Sequence, residues 1–311
     1  MINPNLRARD RIYSELPEDL KKLMEQHLLT EEEHEKVLKD IKYKSYYGKT
    51  PVEKPRFILV VGQTGSGKSN LTSSIYSKNP NVVIIDSDKY KAFRHDNINI
   101  LRDHLVEYAF LTAPDAYLHR DEMIVDAMKS KYNILMECAT SKKHGLFIDI
   151  NNLQKAGYDV ELAVLGVSSL NSLLSVHERY EALISISDNA AKLTNIDRHD
   201  DSFYSLYDCI LNTQNIPDVK VSVYERGKNY PYIPTKIYSS SDTERRFSCA
   251  TEALLYAQSK DGQETLKTFD KRYNIIKNQM TNRNAPKQQI EQLETIRTRY
   301  ERSIENKKEY I

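Results

Sequence analysis

Short runs of apolar residues alternate with longer helical patterns along the middle of the chain. The runs have the length and composition of strands that are buried on both faces, since such strands read as continuous hydrophobic stretches. They lie at 57–61, 82–85, 134–136, 160–167 and 219–224. Strands that alternate with helices in this way are typical of a parallel sheet with right-handed crossovers and helices on both sides. The pattern therefore predicts an α/β core, which we place at residues 51–240.

The N-terminal 1–50 segment carries a polar, helical pattern instead. Pro17 suits the first position of a helix, where its missing N–H costs no hydrogen bond, and apolar residues follow it at helical spacing. Thr30 and Glu33 form a capping box for a second helix, because each side chain can accept from the other's backbone N–H. Glycine and proline at 48, 51 and 55 then interrupt the pattern and indicate a linker.

Residues 241–311 return to a helical pattern and are predicted to form a helical C-terminal extension. Apolar residues recur there at three- and four-residue steps, in two stretches separated by Asn284-Ala285-Pro286. The two stripes consist of Leu266, Phe269, Tyr273, Ile276 and Met280, and then of Ile290, Leu293, Tyr300 and Ile304. Two amphipathic helices joined by a turn explain this pattern. The stripes either pack on the core and on each other or form a surface for a partner, and both interpretations stay open.

Composition narrows the class of protein. Of the 311 residues, 40% are hydrophobic and 29% are charged, which is ordinary for a folded soluble protein. The formal net charge of +1 gives no reason to expect a nucleic-acid partner. The 3 cysteines lie far apart without a Cys-x-x-Cys pair, which favours a reducing compartment, and we expect a cytoplasmic protein. The charged N-terminus shows no signal peptide, and without a run of about 18 apolar residues we expect no membrane partner.

One motif predicts a phosphate-binding site. Residues 62–69 match the pattern Gly-x-x-x-x-Gly-Lys-Ser/Thr in full, with a predicted strand before them and a helical pattern after them. Glycines let backbone N–H groups approach a phosphate chain, and the helix N-terminus adds the positive end of its dipole. Lys68 is predicted to bind the β- and γ-phosphates, and the Ser69 hydroxyl to bind Mg²⁺. The residues predicted to bind ATP or GTP are Gly62, Gln63, Thr64, Gly65, Ser66, Gly67, Lys68, Ser69 and Asn70.

Two of the other predicted strands end in carboxylates. Asp86 and Asp88 follow the second strand, and Glu137 closes the third. Ligands of open α/β sheets bind outside the carboxyl ends of the strands, so these side chains are candidates to accept a proton from an attacking hydroxyl or to hold Mg²⁺ through water. The alternatives are ordinary turn or helix-capping aspartates and a surface strand end. Spacing alone does not separate Asp86 from Asp88, because both point to the same side if the strand continues.

Basic residues further along the chain are candidates to close over the phosphates. Arg179 lies on a helical pattern in Glu178-Arg179-Tyr180-Glu181, and Lys192 follows. Phosphoryl transfer develops negative charge that such cations neutralise. The alternative is that both are solvated helix charges. His199-Asp200 has no second histidine cluster near it in the sequence, which argues against a metal hydrolase.

Together these segments resemble the zeta toxin family of bacterial toxin–antitoxin systems. The resemblance covers roughly 55–212 and rests on the order and spacing of the motifs at 62–69, 85–88, 134–137, 178–181 and 199–200. It implies a P-loop kinase fold, in which helices flank a parallel sheet. It also implies transfer of the γ-phosphate of ATP or GTP to the 3′-hydroxyl of UDP-N-acetylglucosamine, and a small helical antitoxin protein that blocks the nucleotide site.

The resemblance also implies roles for single residues. Asp88 matches the catalytic base, Arg179 matches one of two arginines that grip the transferred phosphate, and Lys192 stands at the position of the second. The implied catalytic set is Lys68, Asp88, Arg179 and Lys192, and the implied substrate-binding set is Asp88, Glu122, Glu137, Thr140 and Lys142.

The sequence departs from the family pattern in two places. Lys192 keeps the charge of the second arginine but loses its bidentate fork. After Glu137, residues 138–142 replace a Gly-Thr and an arginine of the family, so Lys142 or Lys143 is a candidate to supply the missing contact. For this reason a kinase of another nucleotide, such as NAD, remains an alternative. A degenerate nucleotide-binding interaction module is a second alternative.

Overall fold

The structure, a computed structural model, describes residues 17–104, 107–141, 148–186, 193–228 and 232–306. Its strands are β1 Arg56–Val61, β2 Val83–Ile85, β3 Ile134–Cys138, β4 Asp159–Gly166, β5 Val219–Glu225 and β6 Thr235–Ser239. Its helices are α1 Glu18–Gln26, α2 Glu31–Tyr46, α3 Lys68–Lys78, α4 Ser87–Tyr90, α5 Asn97–Asp103, α6 Tyr108–Lys129, α7 Ile150–Lys155, α8 Ser169–Ile186, α9 Ile196–Thr213, α10 Ala250–Asn282 and α11 Lys287–Asn306.

The strands form a mostly parallel sheet in the order β2-β3-β1-β4-β5-β6. Parallel pairing is seen between β2 and β3, where Ile84 lies opposite Leu135, and between β4 and β5, where Leu162 lies opposite Val221. The predicted strands are buried along most of their length, as in β4, where every residue after Asp159 is buried. The structure confirms the predicted α/β class, with a parallel sheet flanked by helices.

One strand was missed, and two local predictions were wrong in detail. The sequence did not predict β6, which pairs antiparallel with β5 and is buried at only two of its five positions, so it lacks a continuous apolar run. Pro17 lies one position before α1 rather than at its first residue. Glu137 does not close β3, because the strand continues through Cys138.

The chain divides into two compact units. The first comprises the described residues within 1–57, 79–136 and 147–159, and the second those within 58–78, 137–146 and 160–311. The predicted boundaries at 50 and 240 remain predictions. Within the described residues, no helix is long and apolar enough to cross a membrane.

Helices α1 and α2 belong to the first unit and pack on α6. Met24 of α1 forms a buried cluster with Ile100 and Leu111. The Thr30 capping box at the start of α2 is confirmed, with the Thr30 hydroxyl accepting from the Glu33 backbone N–H and the Glu33 carboxylate accepting from that of Thr30. The predicted N-terminal helices are therefore built into this unit.

Helices α10 and α11 belong to the second unit and form a hairpin that packs on α8. Their buried cluster comprises Leu170, Leu173, Leu174, Phe269, Tyr273, Ile276, Met280, Ala285, Leu293, Ile296 and Tyr300. The Phe269 and Tyr300 rings stack with their centroids 3.8 Å apart. Packing on the core and on each other is thus confirmed for these stripes, although Ile290 and Ile304 are exposed.

Candidate nucleotide-binding site

The predicted phosphate motif forms the connection between β1 and α3 in the second unit. Gly65 and Gly67 have φ angles of +79° and +94°, a region that glycine adopts without the steric cost of a Cβ. A Cβ on Gly65 would also overlap the backbone carbonyl oxygen of Ser172 in α8. Because α3 begins at Lys68, the loop ends at a helix N-terminus, the arrangement that binds phosphate in P-loop proteins.

Lys68 is the central cation of this loop. Its Nζ donates to the carbonyl oxygens of Gly62 and Gln63 at 2.8 and 3.0 Å, and it has no carboxylate ion pair in the described part of the chain. Burial lowers the pKa of the Lys68 ammonium to about 8; Glu137 acts in the opposite direction, and the positive charge of Arg179 lowers the pKa further. A shielded ammonium that contacts only neutral oxygens lacks a counter-ion, and a bound phosphate would supply one.

Ser69 follows Lys68 and points its hydroxyl toward a carboxylate. Its Oγ donates to Glu137 Oε2 at 3.3 Å. Between residues 17 and 306, the described ranges contain no group of three or more His, Cys, Asp or Glu side chains that would hold a metal ion on their own. Nucleotide-bound Mg²⁺ takes few protein ligands and completes its shell with phosphates and water, so Ser69, with Glu137 beside it, fits such an ion.

The segment Glu178-Arg179-Tyr180-Glu181 lies on α8, and its residues have different partners. Arg272 of α10 pairs with both carboxylate oxygens of Glu178 at 2.6 and 2.7 Å. Arg283 pairs in the same way with Glu181 at 2.7 and 2.8 Å. These two glutamates therefore hold the C-terminal hairpin on α8.

Arg179 differs from its neighbours on α8. It is exposed, and it makes no ion pair with any residue that the structure describes. Its charge nevertheless acts on Lys68, since it contributes to the lowered pKa of that group. Arg179 is therefore a cation whose charge is felt at the phosphate loop and that no carboxylate of the described residues pairs with.

A chain of largely buried hydrogen bonds connects the phosphate loop to α8, α9 and α11. The Gln63 side chain donates to the Val167 carbonyl at 2.7 Å and to Ser172 Oγ at 3.1 Å, and the same Oγ lies 2.8 Å from His199 Nε2. His199 Nδ1 lies 3.1 Å from Asp200, which Arg299 of α11 holds with two hydrogen bonds. Burial alone would raise the pKa of Asp200, but these hydrogen bonds lower it to about 2. His199 and Asp200 therefore connect the phosphate loop to α11 through hydrogen bonds.

Asp86 and Asp88 belong to the first unit and have different surroundings. β2 ends at Ile85, and Asp86 caps α4 by accepting from the Asp88 backbone N–H at 3.0 Å. The Asp88 side chain is 84% exposed and pairs with Lys91 at 2.6 Å. The strand does not continue past Ile85, so Asp86 and Asp88 do not point to the same side of a strand. The helical turn gives them different roles, a distinction that their spacing in the sequence did not provide.

The comparisons with known proteins agree with these features. The family model described as "Zeta toxin" matches residues 39–237, more than half of the 311-residue chain. The chain belongs to the zeta toxin family. It is 30% identical over 205 residues to "Toxin zeta" of Enterococcus hirae, covering 64% of this chain and 71% of that protein. It is 26% identical over 232 residues to "Toxin PezT" of Streptococcus pneumoniae serotype 4, covering 74% of this chain and 89% of that protein.

Two solved structures share the fold of this zeta toxin family member. One comes from work on the PezAT chromosomal toxin–antitoxin system of Streptococcus pneumoniae; it has a TM-score of 0.65 at 22% identity and covers 80% of this chain and 98% of that one. The other is the complex of AvrRxo1-ORF1 with ORF2, with a TM-score of 0.52 at 13% identity, covering 96% of this chain and 90% of that one. At these identities the likeness shows the fold alone.

The remaining residues that the zeta toxin resemblance assigned to substrate lie in two units. Glu122, on α6 in the first unit, contacts His34 Nε2 at 2.7 Å, and the His34 ring stacks on His119. Thr140, in the second unit, is buried; its hydroxyl donates to the Ser202 carbonyl at 2.9 Å and accepts from Ser205. Any substrate contact by Glu122 or Thr140 remains a prediction.

Lys142 and Lys192 lie outside the described residues, so their assigned roles also remain predictions. Sequence reasoning missed two features of the site. It did not single out Arg226, which lies two residues after the fifth predicted strand and directly after the strand that the structure shows, although polar residues at the ends of other strands, Asp86 and Glu137, had been singled out. It also treated Glu178 and Glu181 only as parts of a motif, because their arginine partners lie about 100 residues further along the chain.

Proposed function

We propose that this zeta toxin family member is a small-molecule kinase. It transfers the γ-phosphate of ATP or GTP to a hydroxyl of a sugar nucleotide, and the 3′-hydroxyl of UDP-N-acetylglucosamine is the acceptor that the resemblance favours. The observation that carries the proposal is Lys68, a shielded ammonium at the start of α3 that contacts only neutral carbonyl oxygens. Such a group fits a phosphate chain better than any neutral ligand.

Different residues of the chain are assigned to different parts of the phosphoryl transfer. Lys68 holds the β- and γ-phosphates, and Ser69 holds the Mg²⁺ that accompanies the nucleotide. Arg179 has no ion pair among the described residues, so its guanidinium can turn to the phosphoryl group as charge develops there. Lys192 is proposed as the second cation of this kind.

Asp88 is proposed as the general base that takes the proton of the acceptor hydroxyl. The division of roles at the end of β2 supports this choice. Asp86 accepts from the Asp88 backbone N–H and caps α4, whereas the Asp88 carboxylate is exposed in the first turn of that helix. To act as base, Asp88 must exchange its contact with Lys91 for the acceptor hydroxyl.

A protein partner is part of the proposal. Relatives of this chain carry the name toxin, and one structural neighbour belongs to a toxin–antitoxin system. We propose that a small helical antitoxin binds this chain and blocks the nucleotide site. A co-purified antitoxin should then suppress ATP binding, measured by calorimetry on the complex and on the isolated chain.

The decisive experiment identifies the phosphorylated product. The purified chain is incubated with Mg²⁺ and ATP together with UDP-N-acetylglucosamine, with another UDP-sugar or with NAD, and mass spectrometry detects which compound gains a phosphoryl group. We expect the gain on UDP-N-acetylglucosamine, its loss in Lys68→Ala and Asp88→Asn, and its persistence in the control Asp86→Asn, since asparagine also caps helices. Phosphorylated NAD would instead establish the alternative acceptor, and ATP binding without any product would leave only an interaction module.

A further inference from the structure

Arg226 lies directly after the carboxyl end of β5. The strand ends at Glu225, and a Cβ on Gly227 would overlap the backbone of Tyr232 and Ile233. Glu225 itself is held by Lys260 through both carboxylate oxygens. Both residues that flank Arg226 therefore have close neighbours of their own, Glu225 through its side chain and Gly227 through its backbone.

The Arg226 side chain reaches the phosphate loop. A Cβ built on Gly67 would lie 3.8 Å from Arg226 Nε and 4.0 Å from Asn70 Nδ2. Gly67 directly precedes Lys68, and Asn70 follows Ser69 in the first turn of α3. Arg226 Nε and Asn70 Nδ2 therefore both lie close to Gly67, at the helix N-terminus where phosphate binds.

The hydrogen bonds of Arg226 go to neutral groups. Its Nη1 donates to Ser175 Oγ at 2.9 Å and to Asn171 Oδ1 at 3.4 Å. Both acceptors also bind Arg272, so two guanidinium groups share them. The nearby carboxylates accept hydrogen bonds from other groups. Glu178 accepts from Arg272, and Asp261 accepts from Ser168, just before α8.

Among the described residues, no carboxylate is hydrogen-bonded to the positive charge of Arg226. Arg226 has no ion pair in the described part of the chain, and burial lowers the pKa of its guanidinium. The charge of Asp261 acts in the opposite direction, and the neighbouring Arg272 lowers the pKa further. A partly buried cation is costly unless an anion compensates it. The anion that the phosphate loop is built to bind would supply that compensation.

We propose that Arg226 is a nucleotide-binding residue whose guanidinium contacts the phosphate chain of ATP or GTP on the nucleoside side of Lys68. The assignment rests on the proposed nucleotide site and is independent of the acceptor. Lys68 serves the β- and γ-phosphates, so the part that we assign to Arg226, close to Gly67, is the end of the phosphate chain that does not react. Arg226 therefore raises affinity for nucleotide in the ground state and leaves the phosphoryl-transfer step to Arg179.

The test compares ligand affinities by isothermal titration calorimetry. Arg226→Gln should weaken binding of ATP and ADP by about 10- to 150-fold, the value of a charge-assisted hydrogen bond, and should weaken binding of inorganic tripolyphosphate similarly. Arg226→Lys should recover part of the loss. Lys228→Ala is the matched control, because Lys228 lies two residues further on and pairs at the surface with Glu264. In steady-state kinetics the KM for ATP should rise while kcat at saturating ATP changes little.

The outcomes separate this inference from the proposed function. ATP affinity that is unchanged in Arg226→Gln but lost in Lys68→Ala would overturn the role of Arg226 and leave the phosphate loop intact. A loss for ATP without a loss for tripolyphosphate would also overturn it, since the contact would then lie on the nucleoside. ATP binding that survives both substitutions would contradict the nucleotide site itself.

Discussion

The arginines in two regions around α8 differ in whether they pair with a carboxylate. Where the C-terminal hairpin packs, Arg272 and Arg283 are anchor arginines, each paired with a glutamate of α8 through two hydrogen bonds. Near the phosphate loop, Arg179 and Arg226 are open arginines without an ion pair among the described residues. Paired charges in a fold contribute to its structure, whereas a part-buried cation such as Arg226 costs stability when it has no counter-ion and points to a ligand. The comparison separates the arginines that hold the fold from those that we assign to nucleotide.

The largest effect should come from the open arginine Arg179. Arg179→Ala should lower kcat by about 10³- to 10⁵-fold, because a cation that neutralises the moving phosphoryl group acts mainly in the transition state. Its exposed position predicts a change in unfolding free energy within about 0.5 kcal/mol. Single-turnover kinetics and thermal melts check both parts. If kcat is unchanged, Arg179 is a solvated helix charge.

The anchor arginine Arg283 should show the reverse behaviour. Glu181 has a side chain that is only 2% exposed, so Arg283→Met leaves an almost fully buried carboxylate without its cation. Breaking such a pair costs about 3–5 kcal/mol of unfolding free energy, measured by urea denaturation. The double variant Arg283→Met with Glu181→Leu should recover much of the loss, because it removes the unpaired charge as well. A double variant as unstable as the single one would mean that the loss comes from packing instead.

The pH dependence of binding should identify Lys68 as the cation that titrates. Its pKa is lowered to about 8, whereas an ordinary lysine has a value of 10.5. Phosphate binding favours the charged form and raises this pKa, so affinity for ATP should be level below pH 8 and fall above it by up to about tenfold per pH unit. Proton uptake on binding at pH 9, measured by calorimetry in buffers of different ionisation enthalpy, checks the sign. Lys68→Arg should remove this dependence.

The smallest effect should come from an ion pair that belongs to neither group. Lys287 and Glu291 of α11 lie one helical turn apart at 3.3 Å, with side chains that are 90% and 62% exposed. An exposed pair of this kind contributes about 0.3–0.5 kcal/mol. Lys287→Ala should therefore leave the melting temperature and kcat within experimental error. A large loss of stability would show that the exposure of an ion pair does not predict its contribution to the free energy of unfolding.

The fold was predictable because its signals are local. Buried strands, a P-loop motif, the Thr30 capping box and the helical stripe of α10 each depend on residues close in sequence. β6 was missed because it is partly exposed and pairs antiparallel with β5. A short strand of that kind has neither a continuous apolar run nor a strict alternation for the sequence to display.

The candidate site was only partly predictable, because several of its features depend on distant residues. The motif at 62–69 marked Lys68 and Ser69 directly. Which of Asp86 and Asp88 caps α4, by contrast, depended on where β2 ends. The difference between Arg179 and its neighbours depended on Arg272 and Arg283, which no spacing rule connects to α8.

The most direct test of this division of charge is a crystal structure of the chain with Mg²⁺ and a non-hydrolysable ATP analogue. The account predicts Lys68 and Arg179 at the terminal phosphate and Arg226 nearer the nucleoside, with nitrogen–oxygen distances of about 2.7–2.9 Å. It also predicts that the Arg272–Glu178 and Arg283–Glu181 pairs remain as they are. Nucleotide bound with Arg179 and Arg226 both turned away from the phosphates, or with an anchor arginine released from its glutamate to bind them, would contradict it.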